Sequence, residues 1–276
     1  MTLDDLISGE DSKDVFQIKI HLTDECGLRC KFCPNDDKMQ KNAKVSSVDA
    51  VIKNIDFAIN VGFRNIELGV LIGDVLNYDV DDFRKIIEYL ESKKEIRTIS
   101  MATSLVPLKP KHIEIFKNSK KVSLKISWYG NDADQYEKIT GFNNYDLFIN
   151  NINSIKKVTT FKKVLLMQMF KTSHELSVLG MDVELQTIYK WPNKVDRKNK
   201  GICKYIYCDI GILHNGDITL CAWVDTESDL IIGTIEDDKD FILKKVQTYL
   251  RMHSIGAYPD LCRKCDFFSE GMDLIE

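Results

Sequence analysis

Between residues 15 and 189, short apolar segments alternate with segments of helical periodicity, and no other feature of the chain narrows its fold as much. The strand-like segments are 15–22, 65–72, 96–103, 121–128, 163–170 and 182–189. Each is rich in β-branched and apolar residues and bounded by polar or turn residues. Ser46-Ser47-Val48-Asp49 opens a helix carrying Val51, Ile52, Ile55 and Ile59, and Asp81-Asp82 opens one carrying Phe83, Ile86, Ile87 and Leu90. A third runs through Ile113 and Phe116, and a fourth carries Leu147, Phe148, Ile152 and Ile155. Strands alternating with helices imply a parallel sheet with helices outside. Six such units fall short of a closed eight-unit barrel, so the expected fold is α/β, an open partial (β/α)6 barrel.

The character changes after Trp191-Pro192, where residues 194–200 read as a solvated linker. Two apolar runs, 205–213 and 218–224, then flank His214-Asn215-Gly216-Asp217. Asn-Gly between such runs predicts a hairpin with positive φ at both central residues. A helix is predicted over 238–254. The expected organisation is a tail over 1–14, a partial barrel over 15–193 and a small hairpin-and-helix domain over 194–276.

Charge excludes several partners. The chain has 38 Lys+Arg against 42 Asp+Glu, a net charge of −4, and a pI near 5.8. That is no basic footprint for nucleic acid and no electrostatic membrane anchor. No apolar run approaches the ~18–20 residues that span a bilayer. The acidic start, Met-Thr-Leu-Asp-Asp-Leu, is not a secretion signal, so a cytoplasmic protein is expected.

Eight cysteines form two groups: Cys26, Cys30 and Cys33, then Cys203, Cys208, Cys221, Cys262 and Cys265. In a chain with no secretion signal this reads as metal or redox chemistry rather than disulfides. The first group follows the first strand, where barrel loops build active sites. An Fe–S cube takes one ligand per iron, so three thiolates and no fourth nearby leave one iron open. Spacing alone also leaves a zinc knuckle open.

The Cx3Cx2C spacing after the first strand, with the aromatic Phe32 before the third cysteine, resembles the radical S-adenosylmethionine (SAM) enzymes. The resemblance implies a [4Fe–4S] cluster on Cys26, Cys30 and Cys33 with SAM on the open iron. Reductive cleavage of SAM would then give a 5′-deoxyadenosyl radical that removes a hydrogen atom from substrate, the cofactor carrying the hard chemistry. It further implies that Ile72-Gly73-Asp74 stands for the Gly-Gly-Glu-like turn that contacts the SAM amino group. Gly73 would allow close backbone approach and Asp74 would supply the carboxylate. Thr103-Ser104-Leu105 stands where the family often has Thr-Asn-Gly. The segment from Ile126 to Gly130, with Tyr136 and Ile139-Thr140-Gly141 beyond, resembles the ribose-contacting strand, with Ser127 as its candidate. Trp128 and Tyr129 read equally as packing or as a substrate wall.

Cys203 and Cys221 bracket the predicted hairpin, Gly216 lies between them, and Cys262 and Cys265 form a CxxC after the last helix. Four such thiolates can close a zinc site or an Fe–S cube. Beside a radical SAM core the order resembles the twitch domain, a shortened SPASM domain, which implies an auxiliary [4Fe–4S] cluster able to accept an electron. Cys208 is left over, as a buried structural thiol or as the hydrogen-atom donor of a radical SAM epimerase.

The expected function is therefore a radical SAM oxidoreductase with two [4Fe–4S] clusters and SAM. Its substrate is expected to be a small molecule such as a sugar or aminocyclitol, or a peptide. A low-potential donor such as flavodoxin or ferredoxin is implied, with neither nucleic acid nor membrane as partner. Twitch relatives include an alcohol dehydrogenase of aminoglycoside biosynthesis and modifiers of ribosomally made peptides. The 14 residues before the first strand hold no visible leader-peptide module, which tilts the expectation to a small molecule.

Overall fold

In a computed structural model of the chain, the described residues are 17–31, 33, 41–70, 72–161, 163–168, 182–185, 199–203, 205–222 and 230–265. Six parallel strands are laid down in order: β1 (Gln17–Ile20), β2 (Asn65–Leu68), β3 (Thr98–Thr103), β4 (Val122–Trp128), β5 (Lys163–Gln168) and β6 (Asp182–Leu185). Between them run α1 (Val48–Val61), α2 (Val80–Ser92), α3 (Pro110–Lys117), α4 (Ala133–Thr140) and α5 (Tyr145–Ile155). The sheet order β6-β5-β4-β3-β2-β1, continued beyond β1 by three further strands over 209–212, 217–219 and 231–234, is linear, so the barrel is partial and unclosed.

Helix ends follow local chemistry. Ser47 caps α1, accepting a hydrogen bond from the Ala50 amide, and Gly62 closes it at φ +115°. Asp79, not Asp81-Asp82, caps α2 by accepting from the amides of both those residues. The apolar stripes of these helices need an apolar sheet face. Ile18, Ile20, Ile66, Leu68, Ile99, Met101, Leu124 and Ile126, all buried, supply it at a period of two. The alternate residues are polar. Lys19, Glu67, Ser100, Lys125 and Ser127 therefore share the concave face.

Beyond the barrel, α6 (Tyr205–Cys208) leads into β7 (Asp209–Ile212), which pairs parallel with β1 on the free side of that strand. The expected strand over 205–213 is thus helical in its first half, because short apolar runs fit either element. β8 (Asp217–Thr219) and β9 (Ile231–Thr234) follow antiparallel. The hairpin forms, but by another turn than expected. Among the two central residues only Gly216 has positive φ, +87°. The Leu213 amide donates to Asp217 O (2.8 Å) and the Gly216 amide to Leu213 O (3.1 Å), a three-residue loop with glycine in the left-handed position. α7 (Lys239–Ser254) matches the predicted helix, and α8 (Asp260–Arg263) carries Cys262.

Candidate active site

The loop that leaves β1 is pinned before it reaches the cysteines. The His21 amide donates to Ile212 O on β7 (3.0 Å), and the His21 ring lies between Ser46 Oγ (2.8 Å) and Asp24 Oδ1 (2.9 Å). The Asp24 amide reaches Lys44 O (2.9 Å). Further on, the Arg29 amide donates to Thr140 O (2.8 Å) and the Lys31 amide to Ile139 O (3.0 Å), so the cysteine loop rests on the C-terminal end of α4. Gly141 ends that helix at φ +67°, and a Cβ there would already touch Arg29. Tyr136 and Ile139-Thr140-Gly141, beyond the end of β4, are thus the helix and cap that support the cysteine loop.

The turn after β2 is stitched to the same loop. The Asp74 amide donates to Glu25 O (2.9 Å), as does Asn77 Nδ2 (3.1 Å). Gly73 has φ +91°, and a Cβ on it would fall 2.1 Å from Thr23 O, so only glycine fits between turn and loop. The Asp74 carboxylate is buried. Oδ1 accepts from Thr103 Oγ1 (2.7 Å) and the Leu76 amide (3.1 Å), Oδ2 from the Ser104 amide (2.8 Å) and Ser104 Oγ (2.6 Å). Leu105 then takes φ +62°, the left-handed region, at the place where Thr-Asn-Gly would put glycine.

Cys26, Cys30 and Cys33 are half-buried and not in disulfides. Burial pushes the Cys26 thiol up to about 12, and the charges of Asp74 and Cys33 add to it. Cys30 is raised further by burial and then by Cys33 and Cys26. The three thiols therefore share one small region, beside Asp74. Tyr129 and Tyr136 border it: burial raises both phenols, and Cys30 is the charge that adds most to each. Ser127 works against that rise at Tyr129, which sets Ser127 near the same rim. Phe32 lies outside the described residues.

In the second group Cys203, Cys221, Cys262 and Cys265 are buried and not in disulfides. Asn199 Nδ2 donates to Cys262 O (2.7 Å) and to Cys265 O (3.3 Å), and Tyr258 Oη donates to Gly201 O (2.9 Å). These bonds tie the Cys203 segment to the CxxC turn. The Cys203 amide faces His253 Nδ1 at 3.5 Å. Cys221 follows β8, and the next amide, of Ala222, donates to Asp209 O on β7 (2.8 Å). The Cys208 side chain lies outside the described residues.

The concave face carries a feature that the sequence reading missed. Lys19 Nζ lies 3.1 Å from Asp209 Oδ1 and 3.6 Å from Glu67 Oε1, while Lys125 Nζ lies 2.7 Å from Glu67 Oε2. Lysines at alternate positions of otherwise apolar strands were the available signal.

Residues 20–175 match the family model of the Radical SAM superfamily, more than half of the chain. The chain belongs to the radical SAM superfamily. Its chemistry runs on SAM and a [4Fe–4S] cluster. The chain is 26% identical over 145 residues to a probable GTP 3′,8-cyclase of Methanococcus maripaludis strain C6. It is 29% identical over 152 residues to the GTP 3′,8-cyclase of Clostridium acetobutylicum. The matches span 52–53% of this chain and only 44–45% of those relatives. Among solved structures, BtrN in complex with AdoMet and 2-DOIA superposes with a TM-score of 0.63, covering 95% of this chain and 96% of that one at 14% identity. Streptococcus suis SuiB bound to precursor peptide SuiA gives 0.61, covering 93% and 72% at 15% identity. At those identities the likeness is one of fold.

The residues around the radical SAM loop fit such a cluster. Three thiols are gathered where their charges repel unless a cation lies among them, and they follow the family's first strand. Among the described residues no three His, Cys, Asp or Glu side chains converge as the ligands of a single ion do. A cube takes its thiolates at separate iron corners. One buried polar atom at this site is also left over: the Tyr136 hydroxyl has no hydrogen-bond partner among the described residues.

Proposed function

We propose that the chain is a radical SAM oxidoreductase with two [4Fe–4S] clusters. Cys26, Cys30 and Cys33 hold the first, with SAM on its open iron, and Phe32, Gly73, Asp74 and Ser127 line the SAM site. Cys203, Cys221, Cys262 and Cys265 close the second in a twitch-type domain. When bound, SAM and the first cluster supply a 5′-deoxyadenosyl radical that takes a hydrogen atom from substrate, and a closed second cluster supplies an acceptor for the remaining electron, the proton passing to solvent.

The observation that supports this reading is the position of β7. It lies against β1, the strand from which the first cysteine loop departs, and the hairpin it opens leads to Cys221, whose charge bears on Lys19 of β1. The chain's own residues hold that loop. Thr103 and Ser104 fix Asp74, Glu25 ties the β2 turn to the loop, and α4 carries it from below.

The polar concave face, with Lys19, Glu67, Ser100 and Lys125, suits a substrate rich in hydroxyl or amine groups, a sugar or aminocyclitol, and a peptide is the other candidate. A flavodoxin or ferredoxin is the proposed electron donor, and the cytoplasm the proposed location. Anaerobic reconstitution of Cys221→Ala tests the second cluster. We expect the wild type to bind about eight irons and eight sulfides per chain, from four per cube, and the variant about four while it still cleaves SAM. Equal iron in both proteins would remove the auxiliary cluster from this reading.

A further inference from the structure

We propose that the outer face of α7 is the docking surface for an acidic one-electron carrier protein. Three large apolar side chains are exposed among the described residues. Two of them, Phe241 (44% exposed) and Ile255 (73%), belong to this one helix and its C-cap. They are 14 residues apart, close to four whole turns, so they fall on one side of the helix. Ile242, Val246 and His253 are buried on the opposite side. Lys244, Lys245 and Arg251, all exposed, stand between the two apolar ends. The stripe is ~21 Å long at 1.5 Å per residue. That is comparable with the width of one side of a standard interface, about 800 Å² per partner. Single exposed apolar residues need no explanation, but an aromatic and an aliphatic anchor sharing one basic stripe have the composition of an interface.

The charge says what fits it. Residues 239–264 carry six Lys and Arg against two Asp, in a chain whose net charge is −4. On the barrel helices Arg84 meets Glu114 (3.5 Å), Lys85 meets Asp82 (2.7 Å) and Lys111 meets Asp81 (2.9 Å). Lys244, Lys245 and Arg251 meet no carboxylate among the described residues. Lys245 Nζ instead lies 5.3 Å from the centroid of the Phe241 ring. The acidic residues just before the helix are engaged locally, Asp237 by the Thr234 amide and Asp238 as the cap of α7. A partner with a negative face is therefore drawn in and oriented here.

The end of the stripe adjoins the second cysteine group. His253, in the last turn of α7, faces the Cys203 amide at 3.5 Å and meets the Tyr258 ring edge-on (centroids 4.8 Å). Ile255 lies on the far side of that turn, one helix width, ~10 Å, from the Cys203 segment. Lys264, exposed, lies between Cys262 and Cys265. The inference rests on the second cluster proposed above. After substrate oxidation that cluster loses the one electron it took up, and the oxidised carrier gains it.

The test uses the anaerobically reconstituted protein and an acidic flavodoxin in its oxidised form. We expect isothermal titration to show binding that weakens about tenfold between about 50 and 300 mM NaCl. Changing Lys244, Lys245 and Arg251 together to Glu should weaken it at least ~tenfold. Ile255→Ser, which alters no charge, should weaken it about fivefold and decides the question if the triple variant fails to fold. Iron content and dithionite-driven 5′-deoxyadenosine formation should stay at the wild-type level in both. Lys117→Glu with Lys120→Glu, on exposed lysines of the barrel, should bind as the wild type does. Equal affinity in the wild type and both stripe variants overturns the docking surface. So does an equal loss in the Lys117 and Lys120 control, or a wild type that binds no flavodoxin at about 50 mM NaCl. Flavodoxin semiquinone formed by the reduced wild type, and not by Cys221→Ala at equal binding, supports the carrier. Binding without semiquinone in a chain holding about eight irons overturns the carrier but not the second cluster. About four irons per wild-type chain overturns the second cluster and the carrier's electron with it, leaving the titrations to decide the surface.

Discussion

Lys19 Nζ on β1 lies 3.1 Å from Asp209 Oδ1 on β7, a buried ion pair that joins the first strand of the barrel to the hairpin leading to Cys221. Lys19 also faces Glu67, which is shared with Lys125, so the charges alternate across the concave face. A buried pair is costly to desolvate, but removing one partner leaves the other charged and unmatched. Lys19→Met is expected to lose ~3–5 kcal/mol of stability on that account. Urea unfolding of the single and double variants with Asp209→Asn checks it. A double variant no more stable than the sum of the two losses would show that the pair is not coupled.

Acid should unfold the protein in two separable stages. Burial, and then the Lys109 charge, hold His112 down to about 4 from its ordinary 6.5, so the folded state keeps the ring neutral. The unfolded state takes up that proton first, so this contribution is whole above pH 6.5 and is lost as pH falls to 4. Burial alone would push Glu67 up, but Lys19 and Lys125 outweigh it and bring the carboxyl from 4.5 to about 2. Its contribution is whole above pH 4.5 and is lost as pH falls through 2. Each is worth up to ~3 kcal/mol at about 1.4 kcal/mol per pKa unit. Unfolding free energies measured from pH 7 to 3 should flatten above pH 4 in His112→Gln, and below pH 4.5 in Glu67→Gln. Parallel curves for wild type and both variants would contradict the assignment.

The order of strands and helices was legible because helix and strand periods leave separate marks on long apolar elements. α4 left no such mark: only Tyr136 and Thr140 of its residues are buried, too few for a stripe. β9 is four residues with Gly233 inside, below the length at which alternation is readable. The cysteine loop was legible through spacing. The polar groups around it were not, since Lys125 and Glu67 on the concave face are 58 residues apart, and Asp74 meets Thr103 and Ser104 across 29 and 30. Only the sheet register brings them together.

Gly73 is expected to tolerate no side chain. At φ +91° with a Cβ site 2.1 Å from Thr23 O, Gly73→Ala strains the backbone and drives the β2 turn off the cysteine loop. The cost is expected to be at least ~1–3 kcal/mol, as for other residues forced into rare backbone regions. The loss should appear in thermal unfolding and in weaker SAM binding by isothermal titration of the anaerobic protein. An alanine variant with wild-type melting and SAM affinity would mean that turn and loop are not joined as described.

The two cysteine groups should load independently. Cys26, Cys30 and Cys33 lie in a loop held by α4, Lys44 and the β2 turn, whereas Cys203, Cys262 and Cys265 are tied together by Asn199 and Tyr258 and packed by His253. Among the described residues the two groups are joined through β1 and β7, by their pairing, by the His21 amide on Ile212 O and by the Lys19–Asp209 ion pair, while the side chains that hold each loop are separate. Changing Cys26, Cys30 and Cys33 to Ala together is therefore expected to abolish 5′-deoxyadenosine formation and to halve bound iron, from about eight to about four per chain. The remaining cluster should keep an EPR signal indifferent to SAM, because a closed cube offers SAM no iron. Iron, sulfide and 5′-deoxyadenosine measured on one anaerobic preparation decide it. Continued 5′-deoxyadenosine formation would place the SAM cluster on other residues, and loss of all iron would show that the second cluster depends on the first.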